Sequence, residues 1–209
     1  PEGDSFDVDY VAHEMGHQFG ANHTFNAGTG SCAGNRNSST AYEIGSGTTI
    51  MSYAGICNNN DIALHSDDYF HRISLIEIMD YISTTSCAQI VSANSIVPQI
   101  ADYTATYYIP YKTNFELPAL AYDPDGDPIS YCWEQSDLGA QGNWNNPNNI
   151  KSPLFRSFLP TANNIRIFPA YDQIINNVIK YRGEVLPEVA RDVKFKCTVR
   201  ANRGGWGQF

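Results

Sequence analysis

The residues best suited to chemistry lie in the stretch HEMGHQFGANH at positions 13–23, which holds three of the chain's five histidines. His13 and His17 are four residues apart, so on a helix both imidazoles point to the same side and can bind one metal ion. Glu14 lies on the neighbouring row, from which its carboxylate can reach a metal-activated water without being a ligand. The spacing therefore predicts two ligands and one general base.

A third ligand is predicted just beyond the helix. A catalytic zinc ion needs three protein ligands and one open position for water. Gly20 predicts a reversal in the left-handed region that ends the helix, and His23 follows three residues later. We therefore expect His13, His17 and His23 to hold one Zn²⁺, with Glu14 as the residue that takes a proton from the attacking water.

The element that must position these ligands is a helix predicted over residues 8–19. At about 100° per residue, the apolar side chains fall on one side of this helix, and His13 and His17 fall on the other. The apolar side chains are Val8, Val11, Ala12, Met15 and Phe19. The pattern predicts a helix that packs its apolar side on a core and presents its imidazoles to the metal.

The rest of the N-terminal part predicts a long loop and a second helix. Residues 26–60 are rich in Gly, Ser, Asn and Thr and predict an ordered loop. Ser66 is a plausible N-cap, and Asp67 and Asp68 would follow in the first turn, where negative charge suits the helix dipole. The helix is predicted to end near Ser83. Its apolar stripe consists of Leu75, Ile78, Met79 and Ile82.

Beyond about residue 95 the hydrophobic pattern changes from helical to alternating. Residues 193–200 alternate between apolar and polar side chains, which predicts a half-buried strand. Further strands are predicted at 103–109, 114–121, 129–134, 154–158 and 164–168. Short strands separated by Pro, Gly and Asn are typical of a β-sandwich. We place a domain boundary near Ala93, which gives one unit at 1–92 and a second at 93–209.

The composition excludes several classes of function. Hydrophobic residues make up 42% and charged residues 17% of the 209 residues, which indicates a folded chain with a core. The formal net charge of −9 argues against nucleic acid as a partner, and residues 1–90 carry all of it. No apolar run reaches the roughly 18 residues that a membrane span requires. The uneven charge supports a division into two units.

The five cysteines are widely spaced and form no CxxC pair. In a chain rich in Asn, Ser, Thr and Tyr, this pattern favours an extracytoplasmic protein with disulfides. The odd number leaves at least one thiol without a partner inside the chain. We expect pairing among the first three of the cysteines Cys32, Cys57, Cys87, Cys132 and Cys197. The connectivity stays open, as does the alternative that all five are free thiols.

The zinc motif, together with TIMSYAG at 49–55, resembles the metzincin zinc endopeptidases. The segment SDDYFH at 66–71 makes the run most similar to the bacterial reprolysin-like branch. The resemblance implies that Met51 is the Met-turn residue, which forms an apolar floor beneath the metal. It also implies peptide-bond hydrolysis through a zinc-activated water. Reprolysins usually carry Asp directly after the third histidine, whereas this chain has Thr24.

Tyr53 stands two residues after Met51. In astacin-like and serralysin-like metzincins a tyrosine at this offset contacts the zinc or stabilises the oxyanion, so the resemblance implies a catalytic role for Tyr53. An ordinary packing role is the alternative. His65 and His71 lack the spacing of ligands, and we expect both to be structural.

In metzincins the zinc helix packs on a twisted sheet in the N-terminal half of the catalytic domain. Only twelve residues precede His13 here. We therefore expect residues 1–92 to be the C-terminal half of such a domain, comprising the zinc helix, the Met-turn and the C-terminal helix. The missing N-terminal half would be a partner, and without it the apolar side of the helix would be exposed and peptide binding poor.

The segment AYDPDGDPISYCWEQ at 121–135 resembles immunoglobulin-like modules of secreted bacterial proteins, of the cadherin or polycystic-kidney-disease type. With the N-terminal unit, this gives an α+β chain that ends in an all-β sandwich. Asp123, Asp125 and Asp127 place carboxylates at alternate positions, which suits Ca²⁺. A turn formed by Pro and Gly with solvated aspartates is the favoured alternative.

The favoured hypothesis is a secreted zinc endopeptidase, extracellular or at the cell surface of a bacterium, that acts on proteins or peptides. The alternative is a non-catalytic secreted adhesin, or a carbohydrate-binding or protein-binding module, with a structural or vestigial metal site. Glu14 favours the enzyme, because a purely structural site would not need a general base.

Overall fold

The fold is known from a computed structural model that describes residues 4–87, 89, 91, 95–102, 106–201 and 206–208. The chain is mixed helix and sheet, consistent with the predicted α+β class. The predicted boundary at Ala93 lies outside the described residues. Among the described residues, none of the helices has the length and apolar character that crossing a bilayer would require.

The first helix, which we call the histidine helix, has three consecutive parts. An α-helical turn at Asp4–Phe6 leads into a π-helix at Asp7–Ala12 and then an α-helix at His13–Gln18. Gly20 ends it with a φ of 86°, as predicted. The helix begins at Asp4, four residues earlier than predicted, because the prediction started at Val8, the first residue of the apolar pattern.

The apolar side of the histidine helix divides into two groups. Val8 and Ala12 pack against a small core formed by Ala21, Ile50 and Met51. Val11, Met15 and Phe19 are exposed, and half of the surface of Met15 is accessible to solvent. The expectation of an exposed apolar side therefore holds for three side chains and is wrong for Val8 and Ala12.

The second helix covers Arg72–Thr84, so the predicted start near Ser66 is wrong. Its N-cap is His71, whose Nδ1 accepts a hydrogen bond from the backbone N–H of Ile73. Asp67 and Asp68 lie in the loop before the helix and not in its first turn. Local propensity at Ser66 is overridden by tertiary contacts that hold residues 66–69 in a non-helical path.

Those contacts run along the loop around Met51. The backbone N–H of Asp67 donates to the Thr48 carbonyl at 2.7 Å, and that of Ile50 donates to the Tyr69 carbonyl at 3.1 Å. In a helix that began at Ser66, the Tyr69 carbonyl would accept from the Ile73 N–H. Here that carbonyl is paired with Ile50, and the Ile73 N–H bonds to His71 instead.

The predicted ordered loop over 26–60 is confirmed. It contains only two short 3₁₀ turns, Gly30–Cys32 and Asn58–Asn60, and one bridge between Phe25 and Glu43. It is nevertheless largely buried from residue 40 to residue 54. A disulfide joins Cys32 to Cys57, which confirms pairing among the first three cysteines.

The other cysteines are free thiols in the described structure. Cys87 is exposed, whereas Cys132 and Cys197 are buried in the β-rich part. Burial raises the pKa of the Cys197 thiol to about 12, so this thiol stays protonated and packs as a small apolar group.

Seven strands follow the helical part of the described chain. They are β1 (Gln99–Asp102), β2 (Phe115–Pro118), β3 (Leu120–Tyr122), β4 (Ile129–Gln135), β5 (Ile165–Phe168), β6 (Phe195–Ala201) and β7 (Trp206–Gln208). All pairs are antiparallel and form three small sheets: β1–β3, β2–β5 and β4–β6–β7. A short helix, Tyr171–Asn176, follows β5.

The strand predictions at 114–121, 129–134, 164–168 and 193–200 correspond to observed strands. The prediction at 154–158 is wrong, because the side-chain oxygen of Gln135 accepts from the backbone N–H groups of Leu154 and Phe155 and replaces a neighbouring strand. The prediction at 103–109 lies outside the described residues for 103–105, and 106–109 form no strand.

The residues before and after the predicted boundary contact each other through buried polar groups. Glu134 of β4 is fully buried and accepts from the backbone N–H of Arg72 at 3.0 Å, where the second helix begins. Arg156 donates to the Ile62 carbonyl at 2.9 Å, and Arg200 donates to the Phe70 carbonyl at 2.9 Å. The β-rich part therefore helps to fix the start of the second helix.

Candidate metal centre

The structure brings His13, His17 and His23 together. His13 and His17 lie one helical turn apart, and the reversal at Gly20 returns the chain so that His23 faces them. Their ring centroids are 4.7–5.3 Å apart, and one nitrogen from each ring lies within 4.8 Å of the others. The predicted ligands therefore form a single cluster.

A backbone carbonyl fixes the orientation of each imidazole. A carbonyl oxygen can only accept, so each Nδ1 carries the hydrogen and each Nε2 keeps its lone pair. The pairs are His13 with Ile50 at 2.7 Å, His17 with Ala21 at 2.8 Å and His23 with Asn35 at 2.7 Å. This is the second layer of bonds that typically orients histidine ligands in metal proteins.

The Nε2 atoms of His17 and His23 are 3.1 Å apart. With both hydrogens on Nδ1, two lone pairs face each other, and a cation between them turns this repulsion into attraction. Tetrahedral zinc with Zn–N bonds of about 2.0–2.1 Å places two nitrogens about 3.3 Å apart. The donor set of three imidazoles and their spacing therefore fit a zinc ion.

Burial keeps two of the ligands in the neutral form that metals require. Desolvation lowers the pKa of His13 and of His23, although a backbone hydrogen bond acts in the opposite direction on each. The negative charge of Glu14 also acts on both imidazoles, as a smaller effect that raises their pKa. The action of its charge on both imidazoles places Glu14 near the cluster. Glu14 is also exposed, so its carboxylate is accessible to water.

Met51 is fully buried and belongs to the small core on which Val8 and Ala12 of the histidine helix pack. The Met51 carbonyl accepts from the backbone N–H of Thr24 at 3.1 Å, and the preceding carbonyl, from Ile50, orients His13. The segment of Ile50 and Met51 thus bonds both to the first ligand, His13, and to the residue after the third ligand, Thr24. The floor position that the resemblance implies for Met51 stays a prediction.

Gly16 is a site residue that the sequence analysis missed. A Cβ atom at this position would lie 2.3 Å from the sulfur of Met51 and 3.1 Å from the Phe70 ring. Only glycine lets the histidine helix approach Met51 this closely. The available signal was a glycine in the interior of a predicted helix, between two ligands, where it costs helix stability.

Tyr53 lies beside the cluster, with its ring centroid 4.5 Å from that of His23 and 5.6 Å from that of His13. Its ring also stacks on Phe25 at 4.7 Å, next to the disulfide. Burial raises the pKa of the Tyr53 hydroxyl, and the charge of Glu14 raises it further, so the hydroxyl keeps its hydrogen. Packing is observed, and the position also allows donation to a substrate.

The second helix holds the loop that carries His23. The Glu77 carboxylate accepts from both the backbone N–H and the side-chain amide of Asn22, at 2.8 Å and 2.7 Å. Asn22 directly precedes His23, so this pair of bonds fixes the approach of the third ligand. Glu77 was not identified from the sequence, because its role depends on a contact across 55 residues.

The other candidate residues lie outside the cluster. His65 pairs with Asp9 at 3.0 Å, and His71 caps the second helix, so both have structural contacts. The carboxylate oxygens of Asp123, Asp125 and Asp127 lie within 4.8 Å of one another.

Hydrogen bonds already explain the arrangement of this aspartate turn. One Asp123 oxygen accepts from the backbone N–H groups of Asp125 and Asp127, at 2.9 Å and 3.2 Å. This is the ordinary geometry of an aspartate turn. Calcium binding there stays a prediction.

Residues 1–82 match the family of reprolysin-like metallo-peptidases, family M12B. The match covers the histidine helix, the Met51 loop and most of the second helix, and it confirms the resemblance for this segment. At the family level it supports a metallopeptidase and implies zinc as its ion. No curated protein and no solved structure matches the chain.

Replacing Gly16 by alanine should destabilise the protein. Alanine improves helix propensity by about 1 kcal/mol, but the added Cβ overlaps the Met51 sulfur, and overpacking costs about 1–3 kcal/mol. We expect a lower free energy of unfolding in urea and weaker zinc binding. Gly142→Ala is the control, because a Cβ there meets only one atom, at 3.9 Å. A Gly16→Ala protein as stable as the parent would contradict the close approach.

The metal-free protein should lose stability as the pH falls below about 6.5. Because burial lowers the folded-state pKa of His13 and His23, the unfolded chain binds more protons between the folded and unfolded pKa values. Their stabilising contribution is complete above the unfolded value of 6.5 and declines below it. Melting temperatures of chelator-treated protein, from about pH 7.5 to about pH 5.5, check this. His13→Asn/His23→Asn should flatten the slope, and an unchanged slope would assign it to other groups.

Proposed function

We propose that this chain, whose first 82 residues match the reprolysin-like metallopeptidases, acts as a zinc-dependent endopeptidase on proteins or peptides. The observation that carries the proposal is the convergence of three histidines whose Nδ1 atoms are all bonded to backbone carbonyls. Their Nε2 lone pairs face a common point, with two of them 3.1 Å apart. This arrangement favours a bound cation over any hydrogen bond between the rings.

In the proposed mechanism His13, His17 and His23 hold the ion through Nε2. When bound, zinc would polarise the scissile carbonyl and lower the pKa of a water toward about 7. Glu14 takes a proton from the attacking water and later delivers it to the leaving amine. Tyr53 keeps its hydroxyl proton and donates a hydrogen bond to the developing oxyanion. The chain's own residues thus supply the base and an oxyanion donor.

The domain assignment belongs to the same proposal. Residues 1–92 would form the C-terminal half of a metzincin catalytic domain, and residues 93–209 an immunoglobulin-like module. The antiparallel pairing of all the described strands supports the module. The buried disulfide between Cys32 and Cys57 supports a secreted or cell-surface location.

We further propose that another segment of polypeptide, the N-terminal half of the catalytic domain, covers the exposed side of the histidine helix. Val11, Met15 and Phe19 support this, because burying each such side chain is worth about 1.5–3 kcal/mol. A Met15→Cys variant of the native protein tests it by the rate of reaction with a thiol reagent. A covered position should react far more slowly than the exposed Cys87, and equal rates would contradict the proposal.

The Glu14→Gln variant of the full-length protein tests the catalytic proposal. Because Glu14 is not a ligand, zinc content should stay the same, whereas cleavage of casein should fall by about 10²–10⁴-fold. Glu116→Gln, at an exposed position of β2, is the matched control and should leave both quantities unchanged. Equal cleavage by the parent and Glu14→Gln would exclude Glu14 as the base.

One observation favours the alternative, a binding module. Tyr107, Tyr108 and Tyr111 are exposed in one short segment, and 96% of the Tyr108 surface is accessible to solvent. Exposed aromatic rings in a row suit stacking against sugars. In the experiment above, bound zinc with no cleavage by the parent or the variant would favour this function over the peptidase.

A further inference from the structure

A buried carboxylate lies outside the ligand set but next to it. Glu43 belongs to the loop between His23 and Met51, and only 2% of its surface is accessible to solvent. Burying a carboxylate is costly unless strong hydrogen bonds replace its water. The donors are the Thr24 hydroxyl at 2.5 Å, the Thr49 hydroxyl at 2.5 Å, the Thr48 N–H at 2.8 Å and the Thr49 N–H at 3.2 Å, with a longer bond from the Thr48 hydroxyl at 3.4 Å.

These donors come from two segments that both control metal ligands. Thr24 follows the third ligand, His23, directly. Thr49 directly precedes Ile50, whose carbonyl accepts the Nδ1–H of His13 at 2.7 Å. The carboxylate of Glu43 therefore joins the segment of the third ligand to the segment that orients the first.

Backbone bonds run in parallel with this connection. The Glu43 N–H donates to the Thr24 carbonyl at 2.8 Å, and the Thr24 N–H donates to the Met51 carbonyl at 3.1 Å. A Cβ atom at Gly47 would lie 3.1 Å from the Glu43 carboxyl carbon, so the loop is closely packed around this group. Glu43 is thus bonded to the segment after His23 and to the segment before Ile50, so a shift of one segment would move the other.

We propose that Glu43 is a positioning residue for the metal centre, which holds His23 and the Ile50 carbonyl at the separation that one ion requires. The inference rests on the proposed zinc site. A carboxylate suits this role because both of its oxygens accept, and four strong donors converge on them. A glutamine side chain has one acceptor oxygen and no charge, so its hydrogen bonds to the same partners would be weaker than those of the carboxylate.

The Glu43→Gln variant of the full chain tests the inference through metal affinity. Loss of an outer hydrogen-bond partner typically weakens metal binding by about 10–100-fold, and we expect a change in that range. Chelator competition measures the zinc affinity. The visible spectrum of the Co²⁺-substituted protein reports the ligand geometry and should shift or lose intensity. Glu116→Gln, the exposed control, should change neither.

A merely structural role makes a different prediction. In that case the melting temperatures of the metal-free and zinc-loaded forms of Glu43→Gln should fall by the same amount, with affinity unchanged. In a positioning role the gap between the two melting temperatures should narrow, because this gap depends on affinity. Glu43→Asp retains the charge and should recover part of the affinity.

Variants of the donors keep the test decisive if Glu43→Gln does not fold. Thr24→Val and Thr49→Val each remove one hydroxyl donor at nearly constant shape, and each should weaken zinc binding by less than Glu43→Gln would. Unchanged zinc affinity and Co²⁺ spectra in these variants would overturn the role of Glu43 while leaving the zinc site intact. A parent protein that binds no zinc would overturn the proposed function and this inference together.

Discussion

The candidate centre depends on three hydrogen bonds from histidine Nδ1 to backbone carbonyls. They fix the tautomer and the rotation of each ring, and only then do three Nε2 lone pairs face one point. The accepting carbonyls, of Ala21, Asn35 and Ile50, belong to loops rather than to regular elements. The accuracy of the site therefore depends on how rigidly residues 21–51 are held.

That rigidity comes from buried polar groups and from the β-rich part of the chain. The disulfide between Cys32 and Cys57 joins two points of the loop region. Glu77 of the second helix accepts a hydrogen bond from the backbone of Asn22. Arg36 connects the loop to the β-rich part by donating to the Gly139 carbonyl at 2.7 Å. The β-rich part thus contributes to the framework of the metal centre, which a simple spacer between domains would not do.

Local sequence patterns were sufficient for the features that local physics determines. The ligand helix, the reversal at Gly20 and strands β4 and β6 follow from short-range periodicity and turn chemistry. Features fixed by distant contacts were not predictable: the second helix starts at Arg72 because Thr48 and Tyr69 hold the preceding segment. Gly16 and Glu43 were missed for the same reason. Thr24, which stands where reprolysins usually carry Asp, donates its hydroxyl to Glu43, 19 residues away.

The histidine helix is attached to the described chain through polar contacts and through the packing of Val8 and Ala12 on the small core around Met51. His13 is buried and bonded to Ile50, and Asp9 accepts from the backbone N–H of Ser66 at 2.7 Å, whereas Met15 is exposed. Zinc and a covering segment would therefore act on opposite sides of one helix. A segment that holds the histidine helix in its metal-binding position would lower the free energy needed to bring His13 and His17 to the ion. Covering the apolar side and binding the metal are thus thermodynamically linked, and each should strengthen the other.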